Sequence, residues 1–184
     1  MRPVLYLVIP CYNEEEVLPQ TAPLFLNKLN ELICQEKVSE NSRILLVDDG
    51  SRDSTWSFIC SLSEKNSHFQ GLRLSRNQGH QNALLAGLMT ARPPCDITIS
   101  IDCDGQDDLN AMNEMVDAYL NGAEVVYGIR RSRESDSWFK RTSAQAFYRL
   151  LRFMGADVVY NHADYRLMSK RALEALSQFR EVNI

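Results

Sequence analysis

The sequence predicts an α/β fold, a mainly parallel central sheet with helices on both faces, on three observations. Short β-branched apolar runs alternate with longer stretches of helical period almost without interruption. No internal repeat, low-complexity tract or linker divides the 184 residues, so one domain is expected. Two acidic clusters, "VDDGS" and "IDCDGQDD", each stand directly behind an apolar run. In parallel sheets ligands gather outside the carboxyl ends of the strands, which is where both clusters fall.

Each element has its own signal. "VLYLVIP" closes on Pro10 and reads as a buried strand. From Glu14 to about Cys34 the apolar positions Val17, Leu18, Leu24, Phe25, Leu29, Leu32 and Ile33 form a helix stripe, with irregular first turns expected at Pro19 and Pro23. "RILLVDD" is the second strand, and Asp53 or Ser54 caps a helix carrying Trp56, Ile59, Cys60 and Leu62. "GLRLS" is the third strand, "HQNALLAGLMTA" a helix and "DITISID" the fourth strand. "AMNEMVDAYLN" is a helix that Gly122 ends, and "AEVVYGI" is the fifth strand. A further helix is expected from about Trp138 to Phe153.

Composition narrows the function classes. The apolar fraction of 45% and charged fraction of 24% are those of an ordinary globular protein, and a net charge of −4 gives no reason to expect nucleic-acid binding. The five cysteines, Cys11, Cys34, Cys60, Cys95 and Cys103, are odd in number and show no C-x-x-C spacing. Reduced thiols are therefore expected, not a disulfide framework or a zinc site. A strand-like run begins almost at Met1, so no signal peptide is expected. No segment approaches the roughly 20 apolar residues of a membrane span, and the stretch is expected to be soluble.

The acidic clusters carry the chemistry. On extended chain, Asp102 and Asp104 point to one side and Cys103 to the other. Such a pair suits a hard divalent cation, Mg2+ or Mn2+, that also holds the phosphates of a nucleotide; Gln106 continues the parity and can add an amide oxygen. A solvated turn capping the next helix is the competing account. Asp48 and Asp49 can accept from a base N–H or a ribose hydroxyl, or simply form an Asx-turn and a helix cap. In "PCYNEEE", Tyr12 can stack on a base while Asn13 and Glu14 add polar contacts, against a plain helix start. His80 can face a phosphate or cap its helix.

Charge then reverses locally. From Arg130 to Arg152 the chain holds Arg130, Arg131, Arg133, Lys140, Arg141, Arg149 and Arg152 against only Glu134 and Asp136. Arginine forks match phosphate oxygens, so Arg130, Arg131, Arg133, Lys140 and Arg141 point to an anionic partner, while Arg149 and Arg152 fit a solvated helix face.

Together, "VIPCYNEEE", "VDDGSRDST" and "IDCDGQDD" resemble, in order and spacing, the family 2 glycosyltransferases with the GT-A fold. "LSRNQGHQNALLAGL", "VVYGIRRSRESDSWFKR" and "HADYRLMSKRALEAL" narrow the likeness to the polyprenyl-phosphate branch, which holds the bactoprenol glucosyltransferases and dolichyl-phosphate mannose synthase. One departure stands out. That branch reads aspartate-leucine-glutamine-aspartate-proline where this chain has Asp104, Gly105, Gln106, Asp107 and Asp108, so the proline that stiffens the loop is missing.

The resemblance implies roles. Pro10, Tyr12, Asn13 and Glu14, with Asp48 or Asp49, would hold the nucleoside, and Asp102 would join them at the donor. Asp102 and Asp104, helped by Gln106, would hold the metal. Arg130, Arg131, Arg133, Lys140, Arg141 and Arg166 would serve the acceptor phosphate. Asp164 matches the family's active-site aspartate, beside Asp104 as a catalytic candidate; a buried partner of Arg166 is the other account of it. The implied reaction is an inverting transfer of a sugar, UDP-glucose first, to a polyprenyl phosphate.

Relatives in the branch continue past "FREVNI" and carry transmembrane helices. A catalytic-domain fragment of a protein working at the cytoplasmic face of a membrane is therefore expected, reached through segments outside these residues, with homo-oligomer assembly left open. Two other classes compete. One is a family 2 transferase acting on a polysaccharide or protein, which would carry a late threonine-glutamate-aspartate motif absent here. The other is a non-catalytic nucleotide-binding or signalling domain, but receiver domains are shorter and collect their acids after the first and third strands.

Overall fold

The computed structural model describes residues 2–129 and 162–178, the side chains of the second segment from residue 165. Strand β1 (Leu5–Cys11) leads through α1 (Leu18–Cys34) to β2 (Arg43–Asp48), and α2 (Thr55–Lys65) leads to β3 (Phe69–Arg73). Helix α3 (His80–Ala91) then returns the chain to β4 (Ile97–Ser100), followed by α4 (Ala111–Leu120) and β5 (Val125–Ile129). Strand β6 (His162–Ser169) and helix α5 (Lys170–Leu176) complete the described elements. The expected helix from Trp138 to Phe153 lies outside the described residues.

The six strands form one sheet in the order β3-β2-β1-β4-β6-β5. β1 pairs in parallel with β2 and β4, and β2 with β3. β6 is antiparallel to both of its neighbours, β4 and β5. The sheet is thus mostly parallel as expected, with one reversed strand wedged between the fourth and fifth.

Period-two alternation divides the core. Leu5, Leu7 and Ile9 of β1, with Ile44, Leu46, Ile97 and Ile99, meet Leu18, Phe25, Leu29 and Leu32 of α1, Ile59 of α2 and Met112 of α4. Tyr6 and Val8, with Leu45, Val47 and Met168, meet Ala83, Leu84 and Leu88 of α3 and Leu173 of α5 on the other face. Strands buried on both faces read as continuous apolar runs, which is what "LYLVI" and "ILLV" are.

Boundaries shift where pairing overrides composition. β3 begins at Phe69 and ends at Arg73, two residues ahead of "GLRLS", because Phe69 pairs with Ile44 and Arg73 with Asp48. β4 stops at Ser100, two residues short of Asp102, and the chain turns at Cys103 and Asp104. In α1, Pro19 lies in the first turn, where its missing N–H costs nothing, while Pro23 sits inside the helix without ending it. The irregular lead-in precedes Leu18, where Glu14 O accepts from the N–H groups of Val17 and Leu18. Asp53 Oδ1 accepts from Thr55 N at 3.0 Å at the start of α2, and Ser54, the residue at the N-cap, makes no side-chain capping bond.

Helix α3 lies unusually close to the sheet at Gly87. A Cβ there would come within 2.5 Å of Val8 Cγ1 and 2.7 Å of Val47 Cγ2. Gly87→Ala should therefore lower stability by about 1–3 kcal/mol through overpacking. Urea unfolding checks this, and a variant as stable as the parent would show that α3 can move off the sheet freely.

Candidate active site

The chain leaves β1 toward β2 on one side and comes back through α3 to β4 on the other. Open sheets collect ligands at such a reversal, outside the carboxyl ends of the strands. Pro10, Glu14, His80, Asp102, Cys103 and Asp104 line an open cleft of about 380 Å³ there. Asp102 is 35% exposed, and its Oδ1 stands 3.8 Å from His80 Nε2. Asp104 is exposed, and its Oδ1 accepts from Gln106 N at 2.9 Å. Burial lifts the Glu14 carboxyl above its ordinary value, and the charges of Asp104 and Asp53 add to that.

The floor is apolar. Beyond the last β1–β4 pair, Val8↔Ser100, the Cys11 and Cys103 side chains meet in a hydrogen bond. Both are buried, and the Cys11 thiol is pushed well up by its hydrogen bond to Cys103 and then by burial. Cys103 Sγ also meets Thr21 Oγ1 of α1 at 3.9 Å. All three residues of the D-C-D run thus line the cleft, the buried cysteine anchoring the run against α1.

Three loops are laced together around this cleft. Asn13, at φ +54°, donates its N–H to Ser51 Oγ at 3.0 Å, and its Oδ1 accepts from Arg52 N at 3.0 Å. Glu14 N donates to Thr55 Oγ1 at 2.8 Å. Asp49 is 2% exposed; its two oxygens accept from Gln78 N at 2.7 Å and Gly79 N at 2.9 Å, which fixes the chain just before His80. Between them Gly50 has φ +69°, and a Cβ would lie 2.5 Å from the Arg76 backbone, so only glycine fits. Asp48 is fully buried, accepting from Ser51 N at 3.0 Å with its other oxygen 3.1 Å from Arg73 Nε. Arg73 in turn lies over the Trp56 ring at 5.6 Å.

The structure thus gathers Pro10, Glu14, Asp102 and Asp104 into one cleft and adds His80 to them. Tyr12 is 41% exposed on the loop after β1, and Gln106 is exposed beside Asp104. Asp48 and Asp49 turn inward, each engaged by protein groups. Arg166 lies on β6 opposite Ser100 of β4 and Tyr127 of β5. Arg130, Arg131, Arg133, Lys140 and Arg141 lie outside the described residues, as does the side chain of Asp164, whose backbone is in β6. Sequence reasoning missed Thr21 and Tyr165. Their signals were the helix stripe facing Cys103 and the apolar alternation of "YRLM", which marks β6.

The donor set fits a hard cation. Asp102 and Asp104 offer carboxylate oxygens, and among the described residues no three or more His, Cys, Asp and Glu side chains form a ready-made cage. Mg2+ or Mn2+ at such a pair takes the rest of its shell from water and substrate phosphates.

Residues 6–177 match the family described as glycosyl transferase family 2. The chain belongs to the family 2 glycosyltransferases. Among curated relatives of this family, the uncharacterized glycosyltransferase YkoT of Bacillus subtilis (strain 168) is 48% identical over 183 residues, covering 100% of this chain and 54% of that protein. The prophage bactoprenol glucosyl transferase homolog of Escherichia coli (strain K12) is 33% identical over 179 residues, covering 97% of this chain and 56% of that protein. The chain thus spans about half the length of these family 2 relatives. In fold it is similar to the mannosyltransferase PcManGT from Pyrobaculum calidifontis in complex with GDP-Man and Mn2+, with TM-score 0.58 and 19% identity over 97% of this chain and 48% of that one. The architecture is the GT-A fold of family 2 enzymes.

Asp49→Ala removes two charge-assisted acceptors from the loop before His80. It should cost about 1–3 kcal/mol of stability and speed amide exchange at Gln78 and Gly79. Hydrogen exchange by NMR checks this, and unchanged protection at both amides would contradict the bracing role.

Proposed function

We propose that this domain transfers a hexose from a nucleotide sugar, UDP-glucose first, to a polyprenyl phosphate with inversion. The observation that carries the reading is the convergence of Glu14, His80, Asp102 and Asp104 on one cleft at the sheet's reversal point. A bactoprenol glucosyl transferase homolog among the relatives supports the acceptor class and the sugar. A fold neighbour holding GDP-Man with Mn2+ supports a nucleotide-sugar donor and a divalent ion.

The chemistry follows from charge. An oxygen of the lipid phosphate attacks the anomeric carbon, the bond to the diphosphate breaks with its electron pair, and the nucleoside diphosphate leaves. The nucleophile is already an anion near neutral pH, so little is asked of a general base. Asp102 and Asp104, with Gln106, would hold Mg2+ or Mn2+, whose positive charge offsets the charge growing on the leaving diphosphate when bound. Pro10, Tyr12, Asn13 and Glu14 line the nucleoside end. Asp48 and Asp49 enter this proposal as braces of the surrounding loops, since their oxygens already serve protein groups.

Two anions must meet, and an acid cleft alone would repel both. The proposal therefore assigns Arg130, Arg131, Arg133, Lys140, Arg141 and Arg166 to the acceptor phosphate, with Asp164 at the reacting centre. No helix among the described residues is long and apolar enough to cross a membrane. Segments beyond these residues would bring the lipid acceptor and anchor the whole protein at the cytoplasmic face of the membrane.

The test joins binding and transfer. Asp104→Asn keeps shape but removes a charged ligand, so Mn2+-dependent UDP-glucose affinity by calorimetry should fall about tenfold, or ~1.4 kcal/mol, with the fold retained. In the protein extended through its natural C-terminal continuation, radiolabelled glucose should pass to polyprenyl phosphate, and the same substitution should suppress it. Unaltered affinity would remove Asp104 from the metal. Transfer to a polysaccharide in place of the lipid would replace the acceptor class.

A further inference from the structure

The acidic loop from Asp102 to Asp108 is held at its two ends by different elements. Its first half rests on α1: Cys103 is buried against Thr21, and a Cβ on Gly105 would lie only 3.1 Å from Thr21 Cγ2. Its second half rests on β6. The hydroxyl of Tyr165 donates to Asp108 O at 3.1 Å across a sequence separation of 57. Tyr165 is 5% exposed, and burial together with the nearby carboxylates of Asp107 and Asp108 drives its hydroxyl far above the usual range, so it remains a donor.

The seat for this ring is built. Gly128 of β5 leaves the room, since a Cβ there would lie 2.7 Å from Tyr165 Cδ1 and 3.1 Å from Met115 Cε. Asp107, one residue before the anchored carbonyl, is itself buried. Asp108 O also accepts from Ala111 N at 3.1 Å, so one carbonyl joins the end of the acidic loop, the start of α4 and strand β6. β6 is also the strand that carries Asp164 and Arg166. Alternation along it sends Tyr165 and Leu167 to one core while Met168 joins the other, so Arg166 and Tyr165 project from opposite faces.

We propose that Tyr165 is a positioning residue: its hydroxyl holds the metal-binding loop in register with the acceptor-side strand. This is the stiffening that a proline would otherwise supply where this chain has Asp108. A proline there removes no backbone hydrogen bond among the described residues and precedes the first turn of α4, and it gives up only the bond from Asn110 N to Asp108 Oδ1 at 2.9 Å. The proposal rests on the reading of Asp102 and Asp104 as the metal pair, and it adds the residue that keeps their loop in place.

The test is a double-mutant cycle of Tyr165→Phe and Asp108→Pro, read three ways. Hydrogen exchange follows the Gln106 amide, which the Asp104 carboxylate holds in the loop. Calorimetry follows Mn2+-dependent binding of UDP, and unfolding follows stability. Tyr165→Phe deletes only a hydroxyl, so the fold should survive while Gln106 exchange quickens and Mn2+–UDP affinity falls about fivefold, the worth of one hydrogen bond. Adding Asp108→Pro should restore both loop readouts, which a merely structural tyrosine would not permit. Unchanged exchange at Gln106 in Tyr165→Phe overturns the proposal, and so does quicker exchange with unaltered affinity, or failure of proline to rescue. If the parent protein binds no UDP with Mn2+, the metal-pair reading fails instead, and the exchange arm still decides whether the hydroxyl restrains the loop.

Discussion

Glu14, Asp102 and Asp104 share one cleft, and like charges at that density repel one another unless something positive stands among them. The rest of the structure follows from that constraint. The Glu14 carboxyl, lifted first by burial, is lifted further by the charges of Asp104 and Asp53. His80 Nε2 stands 3.8 Å from Asp102 Oδ1, and a divalent ion carrying the phosphates of a donor would answer the repulsion. In the proposed function, the cleft is an acidic half-site that cation and diphosphate would complete together.

Holding such a half-site open in their absence requires a stiff frame. The sheet supplies it where the chain leaves the carboxyl ends of the paired strands β1 and β4, and the surrounding loops are tied to each other. Asp49 spends both oxygens on the chain before His80, and Asn13 bridges to Ser51 and Arg52. Asp108 is tied to Tyr165, on a strand more than fifty residues away. Preorganisation of this kind lets binding energy go to the donor and not to ordering loops.

Much of this was legible in the sequence, for physical reasons. Buried parallel strands announce themselves as apolar runs, so β1, β2 and β4 were plain, and acids behind such runs marked the ligand end of the sheet. D-C-D pointed to Asp102 and Asp104 as cleft residues, but the parity that set Cys103 apart assumes extended chain, and the turn at Cys103 and Asp104 leaves all three lining the cleft. β6 was missed because an antiparallel strand placed between β4 and β5 leaves no mark in the order of elements, and "HADYRLMS" mixes polar with apolar residues. Asp48 and Asp49 show a different limit. A buried carboxylate bonded to backbone amides and one that grips a nucleoside have the same sequence signature, and the structure adds what the sequence does not carry, the positions of Ser51, Arg73, Gln78 and Gly79 around them. Tyr165 required knowing both the strand and its partner loop.

The central claim is that Asp102 and Asp104 hold a divalent ion against a nucleotide diphosphate in this cleft. The most direct measurement is a crystal structure of the protein with UDP and Mn2+, with the ion located by its anomalous scattering. The account predicts one Mn2+ peak in contact with carboxylate oxygens of Asp102 or Asp104 and with the diphosphate, the uracil lying toward Pro10 and Tyr12. A diphosphate seated in the cleft with no Mn2+ at these aspartates, or a nucleotide bound elsewhere on the sheet, would contradict it.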